Sequence, residues 1–262
     1  MNLLIAGLLV TSCVSTTSNS IHQRIGISAS QTYSAFTLVR MNITSVAAGC
    51  TNLQNSQSCS SDIQEALIEM GPRSMGSSGS GIVVAHRNNR TYILTANHVC
   101  TENSPAIAYV NVLGSIVQVT LTRTEALTSV DINGVTREAQ RDLSDPDNDV
   151  CIISTEGTWG PAVPVAAEQP PIGSVVYNIA APRGIFDIGM VPIFMGMYSG
   201  PMSDGNEIYT IPARPGSSGS AVLNEAGQIV GVLHSVMVNF PHISAAASAS
   251  DVRNIINQID NL

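Results

Sequence analysis

The stretch RPGSSGSAVLNEAGQIVGVLHS, residues 214–235, decides the fold prediction for this chain. It sets Ser218 among small residues, and two β-rich runs follow it on either side of a turn signal at 225–227. Such runs around a Gly-containing turn are typical of a β-hairpin. The pentapeptide GSSGS also occurs at 76–80, where a strand, a turn and another strand follow again. The chain is therefore predicted to be β-rich, with Ser218 in a tight turn.

The rest of the chain repeats this pattern. From residue 34 onward, short runs rich in Val, Ile, Thr and Tyr alternate with turn signals such as 87–90. Close spacing leaves little room for crossover helices, which favours an antiparallel barrel or sandwich. The Pro-rich stretch 159–173 divides the strands into two similar groups. We interpret it as the crossing between two barrels, one at 34–158 and the other at 159–262.

Two helices are predicted. One lies in SDIQEALIEM and is capped by Ser61 or Asp62. The other closes the chain and is capped by Ser250 or Asp251. Its apolar residues recur at helical spacing, at Val252, Ile255, Ile256 and Ile259.

Composition excludes several classes of function. The 262 residues, 44% of them hydrophobic, can bury a full core. A net charge of −8 argues against nucleic acid as a partner, because no basic cluster is present to bind phosphate. All eleven basic residues are arginines, which excludes lysine Schiff bases, P-loops and Ser-Lys dyads. The sequence contains no C-x-x-C motif and no clustered His/Cys spacing, so a metal site is not predicted.

The amino terminus indicates export. Residues 1–13, MNLLIAGLLVTSC, form a short apolar run that resembles the signal and lipobox of bacterial lipoproteins, with Cys13 as the lipidation site. The run is too short to span a membrane. An ordinary cleaved signal peptide or a short uncleaved anchor is the alternative. Residues 14–33 are Ser/Thr-rich without an apolar period and predict a tether.

Three segments carry candidate catalytic residues. TYILTANHVC delivers His98 at the end of a strand, DPDNDVCIIS places Asp149 at the head of a buried strand, and the opening stretch presents Ser218. A hydroxyl is a weak nucleophile unless an imidazole takes its proton and a carboxylate orients that imidazole. The backbone amides of Gly216 and Ser218 can converge on an oxyanion. Together these residues can perform acyl transfer.

Other assignments are less favoured. Asp145 and Asp147 compete for the orienting role, but they precede the apolar strand and belong to the DPDN turn. A nucleophilic Ser78 in the first GSSGS would need a G-x-S-x-G elbow that enters a helix, whereas Ser80 and a strand follow here.

At this point the sequence resembles the trypsin-like serine proteases with the chymotrypsin double β-barrel, and within them the HtrA-type branch and the glutamyl endopeptidases. The resemblance covers most of 76–259 and is carried by SSGSGIVV, ILTANHV, DPDNDVCII, IGSVVYNIAAPRG, GMYSG and RPGSSGSAVLNEAGQIVGV. It implies an all-β fold of two antiparallel six-stranded β-barrels with a C-terminal helix. His98 would be the general base, Asp149 its orienter, Ser218 the nucleophile, and the Gly216 and Ser218 amides the oxyanion hole. The chain ends shortly after the final predicted helix, so we expect no PDZ domain.

The resemblance also locates the primary substrate pocket. The segments 208–216 and 233–236 are predicted to line it, and the candidate residues within them are Pro212, Ala213, Arg214, Leu233, His234 and Val236. Because most of these side chains are apolar, we expect the substrate residue just before the cleaved bond (P1) to be small or aliphatic. Glutamyl endopeptidases carry a specificity histidine in this strand, but the matching position here is Leu233, and a shift of one residue turns a strand side chain to the other face. An alternative places His234 behind Asp149.

Four cysteines besides Cys13 predict two disulfides in an oxidising compartment. Cys50 and Cys59 enclose a short polar loop and form a local staple. Cys100 and Cys151 each lie two residues beyond a catalytic candidate, so contact between His98 and Asp149 would bring them together. Two buried free thiols are the alternative to this second bond.

The sequence therefore predicts an exported serine endopeptidase that acts on proteins or peptides through an acyl-enzyme and needs no cofactor. The protein would be attached to a membrane only through an N-terminal lipid anchor. The alternative is a catalytically inactive binding or structural module that retains the protease fold.

Overall fold

The computed structural model describes residues 17–101, 106–237 and 239–262. Within these ranges the strands are β1 Phe36–Asn52, β2 Arg73–Arg87, β3 Arg90–Ala96, β4 Ile107–Val112, β5 Ser115–Asp131, β6 Thr136–Asp145, β7 Val150–Glu156, β8 Val175–Ile179, β9 Ile193–Pro201, β10 Glu207–Tyr209, β11 Ala221–Leu223, β12 Ile229–Met237 and β13 Phe240–Ser248. The α-helices are α1 Thr17–Thr32, α2 Ser61–Glu69, α3 Asn97–Cys100 and α4 Ala249–Ile256. Short 3₁₀ turns lie at Tyr33–Ala35, Pro182–Gly184 and Asn257–Asn261.

The strands form two antiparallel barrels. In the first, the order is β1-β2-β3-β7-β6-β5, and pairing of β1 with β5 closes it. The second closes in the order β10-β13-β12-β11-β8-β9. The predicted pair of six-stranded barrels is confirmed, and so is the helix that ends the chain. The strand β4, which adds to the outside of β5, is an addition that the sequence pattern does not reveal.

The largest apolar core lies between the barrels. Every residue of β7 from Val150 to Thr155 is buried, because β7 is covered on both faces rather than one. Helix α4 inserts Val252 and Ile255 into this same core, and Ile259 of the following turn joins them. The helix therefore closes the contact between the two barrels.

The cap of α4 corrects the sequence prediction. Ser248, rather than Ser250 or Asp251, is the N-cap. Its hydroxyl accepts a hydrogen bond from the Asp251 N–H at 3.2 Å, and the Asp251 carboxylate accepts one from the Ser248 N–H at 3.1 Å. This reciprocal capping box satisfies two amide donors, which neither alternative cap achieves.

A second correction concerns residues 14–33, where the composition predicts a tether. The chain is helical from Thr17 to Thr32, and Ile25 and Ala29, four residues apart, are buried against the barrels. The Ser28 hydroxyl donates to the Glu225 carbonyl at 2.7 Å. Contacts with the folded domain supply the stability that the weak apolar period does not indicate. Cys13 and the rest of the predicted signal segment lie outside the described residues, and no described helix is both long and apolar enough to cross a membrane.

The first barrel carries a small extension with its own core. Strands β1 and β5 continue beyond the barrel. Helix α2 is present as predicted, but its N-cap is Ser60, so the predicted caps Ser61 and Asp62 are wrong and both residues lie inside the first turn. A disulfide joins Cys50 to Cys59. The residues that pack here are Cys59, Ile63, Leu67, Val112, Val117 and Val119.

The second predicted disulfide, Cys100–Cys151, is also present. Cys100 ends α3 and Cys151 lies in β7, and both are buried. The bond links two segments that are 51 residues apart in sequence.

Removal of the Cys100–Cys151 bond should cost more stability than removal of the Cys50–Cys59 bond. Loop-closure entropy predicts a loss of roughly 4 kcal/mol for the first and roughly 3 kcal/mol for the second. Urea denaturation of the paired variants Cys100→Ala/Cys151→Ala and Cys50→Ala/Cys59→Ala measures both losses. An equal or reversed order would contradict the expectation.

Candidate active site

His98 and Asp149 meet at the end of two neighbouring strands. Ala96 of β3 pairs with Val150 of β7, so the residues just beyond this pair lie together. The His98 ring Nδ1 lies 2.7 Å from Asp149 Oδ2. The His98 backbone N–H donates to Asp149 Oδ1 at 2.9 Å. One carboxylate oxygen therefore holds the imidazole, and the other holds the backbone of the same residue.

Backbone geometry supports this position of Asp149. Its φ of 52° lies in the left-handed region, which is uncommon for a residue with a side chain. Asp145 holds the preceding turn, since its carboxylate accepts from the Asn148 N–H at 3.2 Å. Asp145 is thus a turn residue, as the sequence indicates.

The pKa of the Asp149 carboxyl is set by opposing effects. Burial raises it, but the hydrogen bonds from the His98 ring and backbone and the proximity of His98 and His234 outweigh burial and hold the pKa below its ordinary value. The carboxylate is consequently ionised at neutral pH and can orient an imidazole.

The loop that carries Ser218 leaves two amides free. The N–H of Ser217 donates to the Arg214 carbonyl at 2.8 Å, and that of Gly219 donates to the Leu233 carbonyl at 2.7 Å. In the described part of the chain, the N–H groups of Gly216 and Ser218 donate to no acceptor. These are the two amides that the sequence nominates for an oxyanion.

Gly216 has a conformation that only glycine adopts easily. Its φ is +97°, and a Cβ there would collide with the Ala181 carbonyl and the Arg183 N–H. The Pro182–Gly184 turn packs directly beneath it, and the Arg183 N–H donates to the Pro215 carbonyl at 2.6 Å. This contact fixes the direction of the Gly216 amide.

Ser218 and His98 face one cleft of about 260 Å³. No hydrogen bond joins the Ser218 hydroxyl to His98 or to any other described side chain. Cleft residues are His98, Ala213, Arg214, Pro215, Ser218, Leu233, His234, Ser235 and Val236.

Five of the six predicted pocket residues line this cleft. The sixth, Pro212, lines an adjacent cavity of about 130 Å³ together with Phe194 and His242. Pro215 and Ser235 also line the cleft, and both lie within the segments 208–216 and 233–236 that the sequence analysis predicts to form the pocket.

Ser80 of the first GSSGS is the main residue that the sequence analysis missed. Its N–H donates to the Ser218 carbonyl at 2.7 Å, and its hydroxyl donates to the Gly216 carbonyl at 2.9 Å. The same hydroxyl accepts from the Ala181 N–H at 3.0 Å. The two pentapeptides thus meet across the barrels, and their likeness in sequence was the available signal.

Nothing in the described ranges forms a metal site, because no three His, Cys, Asp or Glu side chains come together.

Comparison with known proteins agrees with this geometry. The family model described as a trypsin-like peptidase domain matches residues 79–232, a range that includes His98, Asp149 and Ser218. The chain belongs to the trypsin-like peptidase family.

More distant relatives support the same assignment. The chain is 25% identical over 194 residues to the serine protease Do-like HtrA of Lactococcus lactis subsp. cremoris, covering 71% of this chain and 46% of that protein. The protein of the same name from Lactococcus lactis subsp. lactis is 26% identical over 195 residues, covering 71% and 45%. This chain spans about half the length of these curated relatives.

A solved structure shows the same fold. The crystal structure of the serine endoprotease from Yersinia pestis superposes with a TM-score of 0.60 at 18% identity, covering 89% of this chain and 65% of that one. It confirms the double barrel of this trypsin-like peptidase.

His234 is half-buried and lines the same cleft as His98 and Ser218 in this peptidase. Its Nε2 donates to Asn206 Oδ1 at 2.9 Å. Desolvation lowers the pKa of His234, Asp149 and Asp204 oppose that effect, and His98 adds to it, so that the pKa lies below its ordinary value. The neutral imidazole is therefore the form that packs here.

Gly219 should tolerate no larger residue. A Cβ at this position, where φ is +84°, would overlap the Ser80 carbonyl and the Thr95 hydroxyl. Gly173 is the matched control, because its φ is +87° and its surroundings are open. Left-handed strain should cost Gly173→Ala about 1 kcal/mol, and overlap should cost Gly219→Ala about 1–3 kcal/mol more. Similar urea midpoints for the two variants would refute close packing at Gly219.

His234 should make the stability of the peptidase depend on pH. Because its pKa in the folded state lies below 6.5, the unfolded chain binds this proton more readily, and stability falls as the pH drops through 6.5. His234→Gln keeps an N–H for Asn206 without that titration. Urea denaturation at about pH 7.5 and about pH 5.5 should show a larger loss for the native chain than for the variant. Equal losses would mean that His234 is protonated alike in both states.

Proposed function

We propose that this chain is a serine endopeptidase in which Ser218, His98 and Asp149 act as nucleophile, general base and orienting acid. The observation that carries the proposal is the pair of hydrogen bonds from His98 to Asp149, with the Ser218 hydroxyl in the same cleft. The two Lactococcus lactis relatives, both named as serine proteases, agree with it.

The proposed reaction has two halves. His98 takes the Ser218 proton as the oxygen attacks the substrate carbonyl carbon, and it then gives that proton to the leaving amine. The product is an ester between Ser218 and the acyl half of the substrate. Water, deprotonated by the same imidazole, attacks the ester and restores the hydroxyl. Hydrogen bonds between catalytic groups often tighten only when substrate is bound, so the unmade bond between Ser218 and His98 is compatible with this sequence.

The amides of Gly216 and Ser218 would stabilise the oxyanion in both halves. Their lack of partners in the described structure supports this role, because neither N–H has to break an existing hydrogen bond before it binds the oxyanion. Each donor of this kind contributes roughly a hundredfold to a thousandfold in rate.

We propose that the substrates are proteins or peptides with a small or aliphatic P1 residue. The walls beside Ser218 are apolar at Ala213, Leu233 and Val236. Leu233 is buried and carries no charge for a glutamate side chain, while Arg214 lies exposed at the rim.

The two disulfides fit an oxidising, extracytoplasmic location. We propose export with a lipid on Cys13, without any further membrane contact. The acidic charge of −8 leaves nucleic acid disfavoured as a partner.

Labelling by a fluorophosphonate probe tests the nucleophile. The native chain should be labelled, and Ser218→Ala should lose labelling and reduce peptide hydrolysis by about 10⁴-fold or more. Ser77→Ala, an exposed serine of the other GSSGS, is the control and should still be labelled. A folded native chain that ignores the probe would instead indicate the inactive binding module.

A further inference from the structure

The side-chain oxygen of Ser80 bonds to two separate segments of the second barrel at once. The Ser80 hydroxyl donates to the Gly216 carbonyl at 2.9 Å and accepts from the Ala181 N–H at 3.0 Å. Ser80 is fully buried, so bulk water does not compete for either bond. A serine hydroxyl has one proton to donate and lone pairs to accept with, and both capacities are used here.

The direction of each candidate oxyanion donor depends on the carbonyl of the same peptide group. In a planar trans peptide the N–H and C=O groups point in opposite directions, so a bond that holds the carbonyl also aims the N–H. The Pro215 carbonyl accepts from the Arg183 N–H at 2.6 Å, which aims the Gly216 N–H away from Arg183. The Ser217 carbonyl is also hydrogen-bonded, within the loop, and this bond aims the Ser218 N–H.

The Gly216 carbonyl lies between these two peptide groups. Glycine at a φ of +97° has no side chain to restrict its conformation, so hydrogen bonds have to hold it. Among the described residues, the Ser80 hydroxyl is the one donor to the Gly216 carbonyl. This peptide group is therefore held by a side chain. The neighbouring carbonyls, at Pro215, Ser217 and Ser218, accept from backbone N–H groups instead.

The second bond of Ser80 extends its effect to the turn at 182–184. Ala181 directly precedes this turn, and its N–H donates to the Ser80 hydroxyl. The Arg183 N–H, which holds the carbonyl before Gly216, belongs to the same turn. The Ser80 hydroxyl thus holds the Gly216 carbonyl directly and, through Ala181, the turn that orients the Gly216 N–H.

We propose that Ser80 is a positioning residue for the oxyanion hole, and that its hydroxyl holds the Gly216 and Ser218 amides in the direction that a developing oxyanion requires. Ser80 acts through these backbone groups and does not touch the substrate. The inference rests on the proposed function. It makes the first barrel a contributor to the oxyanion hole as well as to the pair formed by His98 and Asp149.

Replacement of Ser80 by alanine should slow the chemical step without weakening substrate binding. An oxyanion donor contributes roughly a hundredfold to a thousandfold in rate, and Ser80→Ala misdirects such donors without removing them, so kcat should fall by about ten- to a hundredfold. Because the lost interaction is made only in the transition state, kcat and kcat/KM should fall by the same factor. Native kcat in a folded Ser80→Ala variant, or a change confined to KM, would overturn the proposal.

The pH profile separates this role from damage to the acid–base pair. No hydrogen bond in the described part of the chain joins Ser80 to His98 or Asp149. The pH dependence of kcat/KM should therefore keep its midpoints in Ser80→Ala while the maximum falls. A displaced profile would mean that the variant disturbs His98 and Asp149, and the assignment to the oxyanion hole would fail.

A matched pair of inhibitors probes the oxyanion hole more directly. When a peptide aldehyde binds, the Ser218 oxygen adds to the aldehyde carbon, the Ser218 proton passes to His98, and the aldehyde oxygen becomes an oxyanion. The corresponding peptide alcohol occupies the same cleft but forms no adduct. The ratio of the two inhibition constants should change in Ser80→Ala by the same factor as kcat, because the aldehyde adduct resembles the transition state. A ratio equal to that of the native chain would contradict the proposal.

Thr37→Val is the control for the loss of a buried hydroxyl. The Thr37 hydroxyl donates to the Val130 carbonyl at 3.0 Å, and Thr37 is as fully buried as Ser80. Its described hydrogen bond does not reach the Ser218 loop. Urea denaturation should show a loss of stability in both variants, whereas kcat should fall only in Ser80→Ala. Equal losses of kcat would mean that Ser80 has a structural role alone.

Two further measurements keep the outcomes distinct. If circular dichroism shows that Ser80→Ala is unfolded, Ser80→Cys decides, because a thiol is a weak donor and kcat should fall by about two- to tenfold. Native kcat in Ser80→Cys would then overturn the proposal. Fluorophosphonate labelling separates this inference from the proposed function. A labelled native chain with native kcat in Ser80→Ala overturns the role of Ser80 alone, whereas an unlabelled, folded native chain overturns both.

Discussion

The hydrogen bond from the Ser80 N–H to the Ser218 carbonyl, 2.7 Å long, joins the two barrels at the point where the candidate chemistry occurs. The barrels contribute different halves of the site, so neither can position His98 against Ser218 alone. The Ser80 hydroxyl adds a second bond, to the Gly216 carbonyl, on the same loop. Gly219 fits between the Ser80 carbonyl and Thr95 because it lacks a side chain. The two backbones approach so closely at this junction that only small residues fit. This explains why the pentapeptide GSSGS occurs in both segments.

Around this junction, polar groups are paired where the structure has to be rigid and unpaired where chemistry is proposed. Asp149 uses both oxygens on His98, and the loop amides of Ser217 and Gly219 are satisfied within the fold. Only Gly216 and Ser218 in that loop keep free N–H groups, and they stand beside the candidate nucleophile. Unpaired donors cost stability when buried. The unpaired N–H groups are explained if a substrate oxygen accepts a hydrogen bond from each of them.

The same contrast applies to the surface beyond the cleft. Residues 74–78 of β2 are exposed and pair with β1 on one side but with no described strand on the other, whereas the rest of the first barrel closes on itself. His234 differs in another way, since it places a second imidazole near Asp149 and lowers the pKa of that carboxyl together with His98. Two ionisable rings thus share the electrostatic field of one carboxylate. That arrangement makes the protonation of this site sensitive to the packing of β12.

The sequence by itself determined the fold class, the two disulfide pairs, the closing helix and the three candidates for orienting acid, base and nucleophile. These features rest on local signals: strand runs with turn residues, cysteine positions, and His98, Asp149 and Ser218 at strand ends. Only the tertiary structure decided that Ser80 braces the Ser218 loop, that residues 17–32 form a packed helix and that Ser248 caps α4. It also decided that Pro212 lines a neighbouring cavity instead of the cleft. Ser80 and Ser218 are 138 positions apart in the chain, and no local pattern encodes a contact over that distance. The contact forms because two barrels dock with their strand ends together, and docking depends on the whole buried surface rather than on any one segment.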